Sequence, residues 1–161
     1  MPKLVLGILL AVIWWMLHAL QMDEEMAMNT VYEAKRALNR AAHAAAQQVD
    51  REMLEEGKVV FDHAQASAAA AQYLQANLQL DAGLQPLPGS LLRTGVIVEQ
   101  FDLIEGEIEF PFTYRNDAFD FEVKLYRPGV VMIVSLEYPR LFGVLPPVSW
   151  VLKGSAETVY A

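Results

Sequence analysis

The chain has 161 residues, no cysteine and a formal net charge of −8, a length that fits one domain plus an anchor. Without cysteine there are no disulfides, no thiol catalysis and no cysteine metal sites, so an exported form must be stable through packing alone. The acidic balance argues against nucleic acid, whose phosphates require clustered Lys and Arg.

Met1-Pro2-Lys3 is followed by an uncharged stretch, Leu4 to Leu17, then by His18-Ala19-Leu20-Gln21-Met22 and the acidic cluster Asp23-Glu24-Glu25. As a helix, residues 4–20 span roughly 25 Å, slightly short of a hydrocarbon core of about 30 Å. Lys3 and the amino terminus lie on one side and the acids on the other. The positive-inside rule therefore keeps the N-terminus cytoplasmic and exports the bulk of the chain. A cleaved signal peptide and a buried soluble helix are the alternatives. Leu17-His18-Ala19-Leu20-Gln21 offers no convincing A-x-A-like cleavage site, so the helix is expected to be retained.

Residues 26–56 contain neither Pro nor Gly and are dominated by good helix formers. Val31, Ala34, Leu38, Ala41, Ala42, Ala45, Val49 and Met53 recur by threes and fours as one apolar stripe. No breaker separates this helix from residues 4–20, which allows one rod about 80 Å long. Asn29-Thr30 is the expected place for a kink, since both residues prefer caps to helix interiors. The stripe can bury against the chain's own β domain. The small side chains of Ala41, Ala42, Ala44, Ala45 and Ala46 equally permit close packing against neighbouring copies. Charge is also blocked along the helix: Asp23-Glu24-Glu25, then Lys35, Arg36 and Arg40, then Asp50, Glu52, Glu55 and Glu56. A neighbour shifted along the axis would match basic block to acidic block; a solvated helix with local i,i+4 pairs is the simpler alternative.

Gly57 is expected to end that helix, and Lys58-Val59-Val60-Phe61 reads as an extended link. Asp62 then caps a second helix, His63 to Leu78, with a modest apolar face of Tyr73, Leu74 and Leu78. Gly83, Pro86, Pro88, Gly89 and Gly95 mark residues 81–95 as a loop. From residue 96 the period becomes two. Ile108, Phe110, Phe112 and Tyr114 alternate with Glu107, Glu109, Pro111 and Thr113, before a turn at Arg115-Asn116-Asp117. Phe119, Phe121, Val123 and Leu125 alternate with Asp120, Glu122 and Lys124. Arg127-Pro128-Gly129 leads into Val130 through Tyr138, which Pro139 closes, and Pro146-Pro147 precedes a last strand around Val148 to Leu152. Short connections imply an antiparallel β meander of four to five strands packed on the amphipathic helix, an α+β fold. The expected division is a hydrophobic N-terminal helix over 1–22, an amphipathic helix over 23–57, and the second helix plus β domain over 58–161.

Residues for chemistry are sparse. His18, His43 and His63 lie on different predicted segments with no ligand partner at metal spacing. Asp23, Glu24 and Glu25 are consecutive in a helix and point in different directions. Glu107, Glu109, Asp120 and Glu122 fall on outward strand faces. No G-x-S-x-G, P-loop or H-E-x-x-H occurs. No catalytic residue, metal or cofactor is expected, and the chain does not read as an enzyme.

Two stretches carry a resemblance. Asn29 to Asp50, directly after the apolar helix, resembles the segment that follows the transmembrane helix in TadE-like proteins of tight-adherence (Flp-type) pilus systems, especially those of Gram-positive bacteria. Val130-Val131-Met132-Ile133-Val134-Ser135-Leu136-Glu137-Tyr138-Pro139, with Ala156 near the end, resembles that family's closing β strand. The resemblance implies a membrane-inserted precursor that passes into, or attaches to, an extracellular pilus acting in adhesion. Its partners would be other copies of itself, the membrane before assembly, and the pilus-assembly machinery. Type IV pilins carry a leader ending in Gly and a Glu at the fifth mature position. Here position 5 is Val5 and no leader precedes Met1, which puts such processing in question and leaves register to other means, such as the charge blocks.

The expected function is thus a structural subunit of a pilin-like filament at the cell surface, polymerising through its N-terminal helix with β domains outward. The alternative is a membrane-anchored assembly accessory or surface binding protein that does not polymerise. The expected assembly interface is Leu6, Leu10, Ile13 and Leu17 with Ala34, Leu38, Ala41, Ala45 and Val49. Inter-subunit charge pairing is expected of Asp23, Glu24, Glu25, Lys35, Arg36 and Arg40.

Overall fold

Pro2 sits where a missing N–H costs a helix nothing, and the residues after it are strong helix formers with Gly7 as the only glycine before Gly57. In a computed structural model, which describes residues 2–106, 108–138, 140, 142 and 145–160, they form one helix, α1, Pro2–Ala45. The kink expected at Asn29-Thr30 does not divide it. The Thr30 hydroxyl donates to the Met26 carbonyl at 2.8 Å, which satisfies it inside the helix.

The helix does not run on to residue 56. It stops at Ala45, and Asp50 caps a separate short helix, α2, Arg51–Glu55. The Asp50 carboxylate accepts from the Glu52 and Met53 N–H groups at 2.9 and 3.2 Å, a role aspartate fills better than a place in a helix interior. Gly57, at φ +80°, closes α2 rather than α1. Lys58 N–H reaches Met53 O and Gly57 N–H reaches Leu54 O, each at 2.9 Å, the Schellman pattern. Asp50 N–H then pairs with Val60 O, and Asp62 N–H with Gln48 O. This brings the chain back beside the end of α1.

The second long helix, α3, spans His63–Leu78 with Asp62 as its cap, as the sequence implies. It runs back along α1 and buries Ala66, Ala70, Leu74 and Leu78. Tyr73 is 46% exposed and does not belong to that face.

The fold is α+β and its strands are antiparallel, but they do not form one meander. The strands are β1 Ile97–Ile104, β2 Phe112–Asn116, β3 Phe121–Leu125, β4 Gly129–Tyr138 and β5 Val148–Glu157. They divide into a three-stranded sheet of order β1-β4-β5 and a separate β2-β3 hairpin. The reason lies in β4. Val130 to Val134 are all 0–2% exposed, and a strand apolar at every position needs cover on both faces. Val130, Met132, Val134 and Leu136 join the core beneath α1 and α3. Val131 joins Ile104, Tyr114 and Leu125 on the side of the hairpin. Inserting the hairpin between β1 and β4 supplies that second cover.

Several boundaries differ from the sequence reading. Ile108 and Phe110 precede β2, which starts after a cis Phe110-Pro111 bond. Asn116 ends β2, and Phe119 lies in a 3-10 turn, Asp117–Phe119. β5 continues to Glu157 rather than stopping near Leu152. Glu107 and Pro139 lie outside the described residues.

α1 crosses β5 closely. A Cβ added at Gly154 would lie 3.0 Å from Leu38 Cγ, and Leu38 is fully buried. Gly154→Val is expected to destabilise the full-length protein by about 1–3 kcal/mol through overpacking. Urea unfolding in detergent checks this, and an unchanged midpoint would contradict the close crossing.

Candidate functional site

The first half of α1 is apolar on every side and covered by nothing. Leu6, Leu10, Ile13 and Leu17, the residues expected in an assembly interface, are 56%, 57%, 45% and 57% exposed. Leu4, Leu9, Trp14 and Trp15, on other faces of the same helix, are as open. Trp14 meets Trp15 and His18 edge-on, with ring centroids 5.7 and 4.2 Å apart. Among the described residues this is the one helix long and apolar enough to cross a membrane. A helix apolar all round belongs in lipid or among other apolar helices.

Burial along α1 begins at Asp23, which is 2% exposed, and Arg140 meets it there. Its Nη1 donates to Asp23 Oδ2 at 3.2 Å and to Glu24 Oε1 at 2.8 Å, and its Nε donates to Pro146 O at 3.1 Å. The bond to Glu24, and secondarily the one to Asp23, hold the guanidinium above its ordinary pKa against the effect of burial. One arginine therefore ties the point where the helix enters the domain to the connection between β4 and β5. Beside it, Tyr138 stacks on Trp150 with centroids 6.3 Å apart. The Tyr138 hydroxyl is buried near the Asp23 carboxylate. Burial first, and then the nearby Asp23 carboxylate, push its pKa up from 10.0.

Those raised values carry a pH dependence. A tyrosine whose pKa is raised on folding keeps a proton that the unfolded chain releases. Its contribution is fully present below about pH 10 and is lost as pH rises through the folded value. Tyr114, raised by burial and by the Asp102 carboxylate that accepts its hydroxyl proton at 2.5 Å, acts in the same direction. Lys35 acts oppositely, because burial lowers its pKa from 10.5. The cost of burying its charge is present at neutral pH and is relieved as pH climbs toward 10.5. Tyr138→Phe is expected to leave neutral-pH melting unchanged or slightly raised and to flatten the alkaline loss of stability. Melting scans between pH 8 and about pH 11 check it; a drop at neutral pH would show that the hydroxyl supports Asp23.

The alanine stripe is not a surface. Ala34, Leu38, Ala41 and Ala45 are 0–1% exposed within the single chain, packed in one core with α3 and the inner face of the sheet. Val49 is half-buried against the same core and bridges to Phe61. Ala34, Leu38, Ala41 and Ala45 have no surface left for a neighbour while the domain is folded, and Val49 keeps only part of its own. Small side chains permit a close crossing here too, but the crossing is with the chain's own α3 and β5.

The charge blocks are partly turned inward. Asp23 is buried with Arg140, and Lys35 Nζ donates to the Lys153 carbonyl. Asp23 is thereby closed to a neighbour, while Lys35 is half-buried. Arg36 pairs locally with Glu33 at 2.9 Å, and Arg40 Nη1 donates to Asn77 Oδ1 at 2.5 Å. Glu24, Glu25, Arg36 and Arg40 remain exposed. The remaining candidates for chemistry stay apart. His43 is exposed, and His63 Nε2 lies 2.7 Å from Glu105 Oε1. Glu109, Asp120 and Glu122 face solvent. Among the described residues no three His, Asp or Glu side chains are grouped to hold a metal.

Compared with known proteins, the chain matches no protein-family model, no curated protein and no solved structure.

Proposed function

We propose that this chain is a structural subunit of a pilus-like filament, held in the cytoplasmic membrane with its N-terminus inside before assembly and displayed at the cell surface afterwards. One observation carries the reading. α1 is a single unbroken helix whose first half is apolar on all sides and uncovered, while its second half is the core of a folded domain. Covering residues 4–20 removes on the order of 1500 Å² of apolar surface, worth tens of kcal/mol before ordering costs at about 25 cal/mol per Å². Lipid can cover that surface in a precursor and other copies of the helix can cover it in a filament. A continuous helix passes from one to the other without refolding. Arg140 fixes the domain at the end of the apolar segment, which keeps the β strands outside either environment.

Because the alanine stripe is used internally, contacts between subunits fall to residues 4–22 and to the exposed charges Glu24, Glu25, Arg36 and Arg40. A membrane-anchored protein that does not polymerise is the second reading, and the same burial favours it: the domain is complete without a neighbour. Negative-stain microscopy of sheared cell-surface material, with intact-mass measurement of its protein, separates the two. The filament reading expects fibres containing the chain with its apolar helix intact. Protein confined to the membrane fraction, with no fibres, supports the anchored reading.

A further inference from the structure

We infer that the connection between β4 and β5 is a second membrane contact: with α1 inserted, Phe142 and Leu145 enter the interfacial layer of the bilayer beside the helix. This rests on the membrane residence proposed above. Arg140 opens the connection, and its guanidinium is held by Asp23 and Glu24, the first charges after the uncharged segment. Arg140 and the Pro146 carbonyl it holds therefore lie level with the point where the apolar segment ends. Phe142 and Leu145 are 47% and 41% exposed, and Pro146 and Pro147 are exposed beside them.

Arg140 is the only charged residue between Tyr138 and Val148, and it is already paired with the start of the domain. No free charge holds the connection in water. At the opposite end of β4 the chain is different in kind: Lys124, Arg127 and Glu157 cluster there, and Glu157 accepts from the Tyr126 N–H at 2.7 Å. At the end beside the apolar helix, the exposed side chains of the connection, Phe142 and Leu145, are apolar and carry no charge of their own. Trp150, half-buried near the start of β5, is a residue type that favours the membrane–water boundary. The length of the helix points the same way. A span of roughly 25 Å in a core of about 30 Å is accommodated by drawing its flanking residues down to the surface.

The absence of cysteine makes the test direct. Single variants Phe142→Cys, Leu145→Cys, Ile13→Cys and Lys124→Cys of the full chain are labelled with a small fluorophore. They are reconstituted in phosphatidylethanolamine–phosphatidylglycerol vesicles with and without nitroxide-bearing lipid. The inference expects labels at 142 and 145 to be quenched several-fold more than the label at 124, with the label at 13 quenched as well. Quenching at 13 but only background quenching at 142 and 145 overturns the inference and leaves membrane insertion standing. Labels at 142 and 145 shielded from aqueous iodide yet untouched by lipid nitroxide would mean that protein covers them, which also overturns it. No quenching at 13 removes the inserted state and this inference with it.

Discussion

Ala41→Leu is expected to destabilise the domain by about 3 kcal/mol, the upper end of what overpacking costs. Ala41 has no exposed surface and sits in one core with Leu38, Ala42 and Ala45 on its own helix, Ala66 and Ala70 on α3, and Gly154's strand close by. Three added carbons have nowhere to go unless α1 separates from α3 or from the sheet. A domain of this size has about 5–15 kcal/mol in all, so combining Ala41→Leu with Ala45→Leu should leave little folded protein. Chemical unfolding of the full chain in detergent, followed by circular dichroism, measures it. Unchanged unfolding in both single variants would mean that the stripe is not packed as the structure has it.

Leu10→Lys combined with Ile13→Asp is expected to have the complementary effect. Both positions lie in the uncovered half of α1, at 57% and 45% exposure, and touch nothing in the core. Each charge at the centre of a membrane helix costs about 3 kcal/mol on insertion scales, roughly a hundredfold per residue. The double variant should leave the membrane fraction on flotation while its domain unfolds at the same denaturant concentration as before. Loss of folding would show that residues 4–20 support the domain; retention in the membrane would show that they do not anchor it.

The parts of the fold set by local chemistry were legible in the sequence. Asp62 and the alanine-rich stretch after it define α3, and Gly57 marks a helix end because only a residue at ease with positive φ completes that cap. Periodicity also shows which face of α1 is buried. It does not show what buries it, and for that reason Ala34, Leu38, Ala41 and Ala45 read equally well as a surface between copies. The pairing of β1 with β4 was hidden because the hairpin between them is contiguous in sequence and invites a simple meander.

The Asp23–Arg140 contact spans most of the chain and has no local signature. One signal was present nonetheless. Asp23, Ala27, Thr30, Ala34, Leu38, Ala41 and Ala45 follow one another by threes and fours, and all are buried. An acid at the head of an apolar stripe calls for a distant cation, and Arg140 is that cation.

In the proposed filament, the uncovered half of α1 joins one copy to the next. Leu10→Cys in a chain with no other cysteine tests it most directly, by oxidative cross-linking of surface-displayed protein after removal of the membrane. Disulfide-linked dimers are expected at high yield from Leu10→Cys and none from Tyr73→Cys, which lies on the open face of α3. Monomer alone from Leu10→Cys, in material that still carries the intact helix, would contradict it.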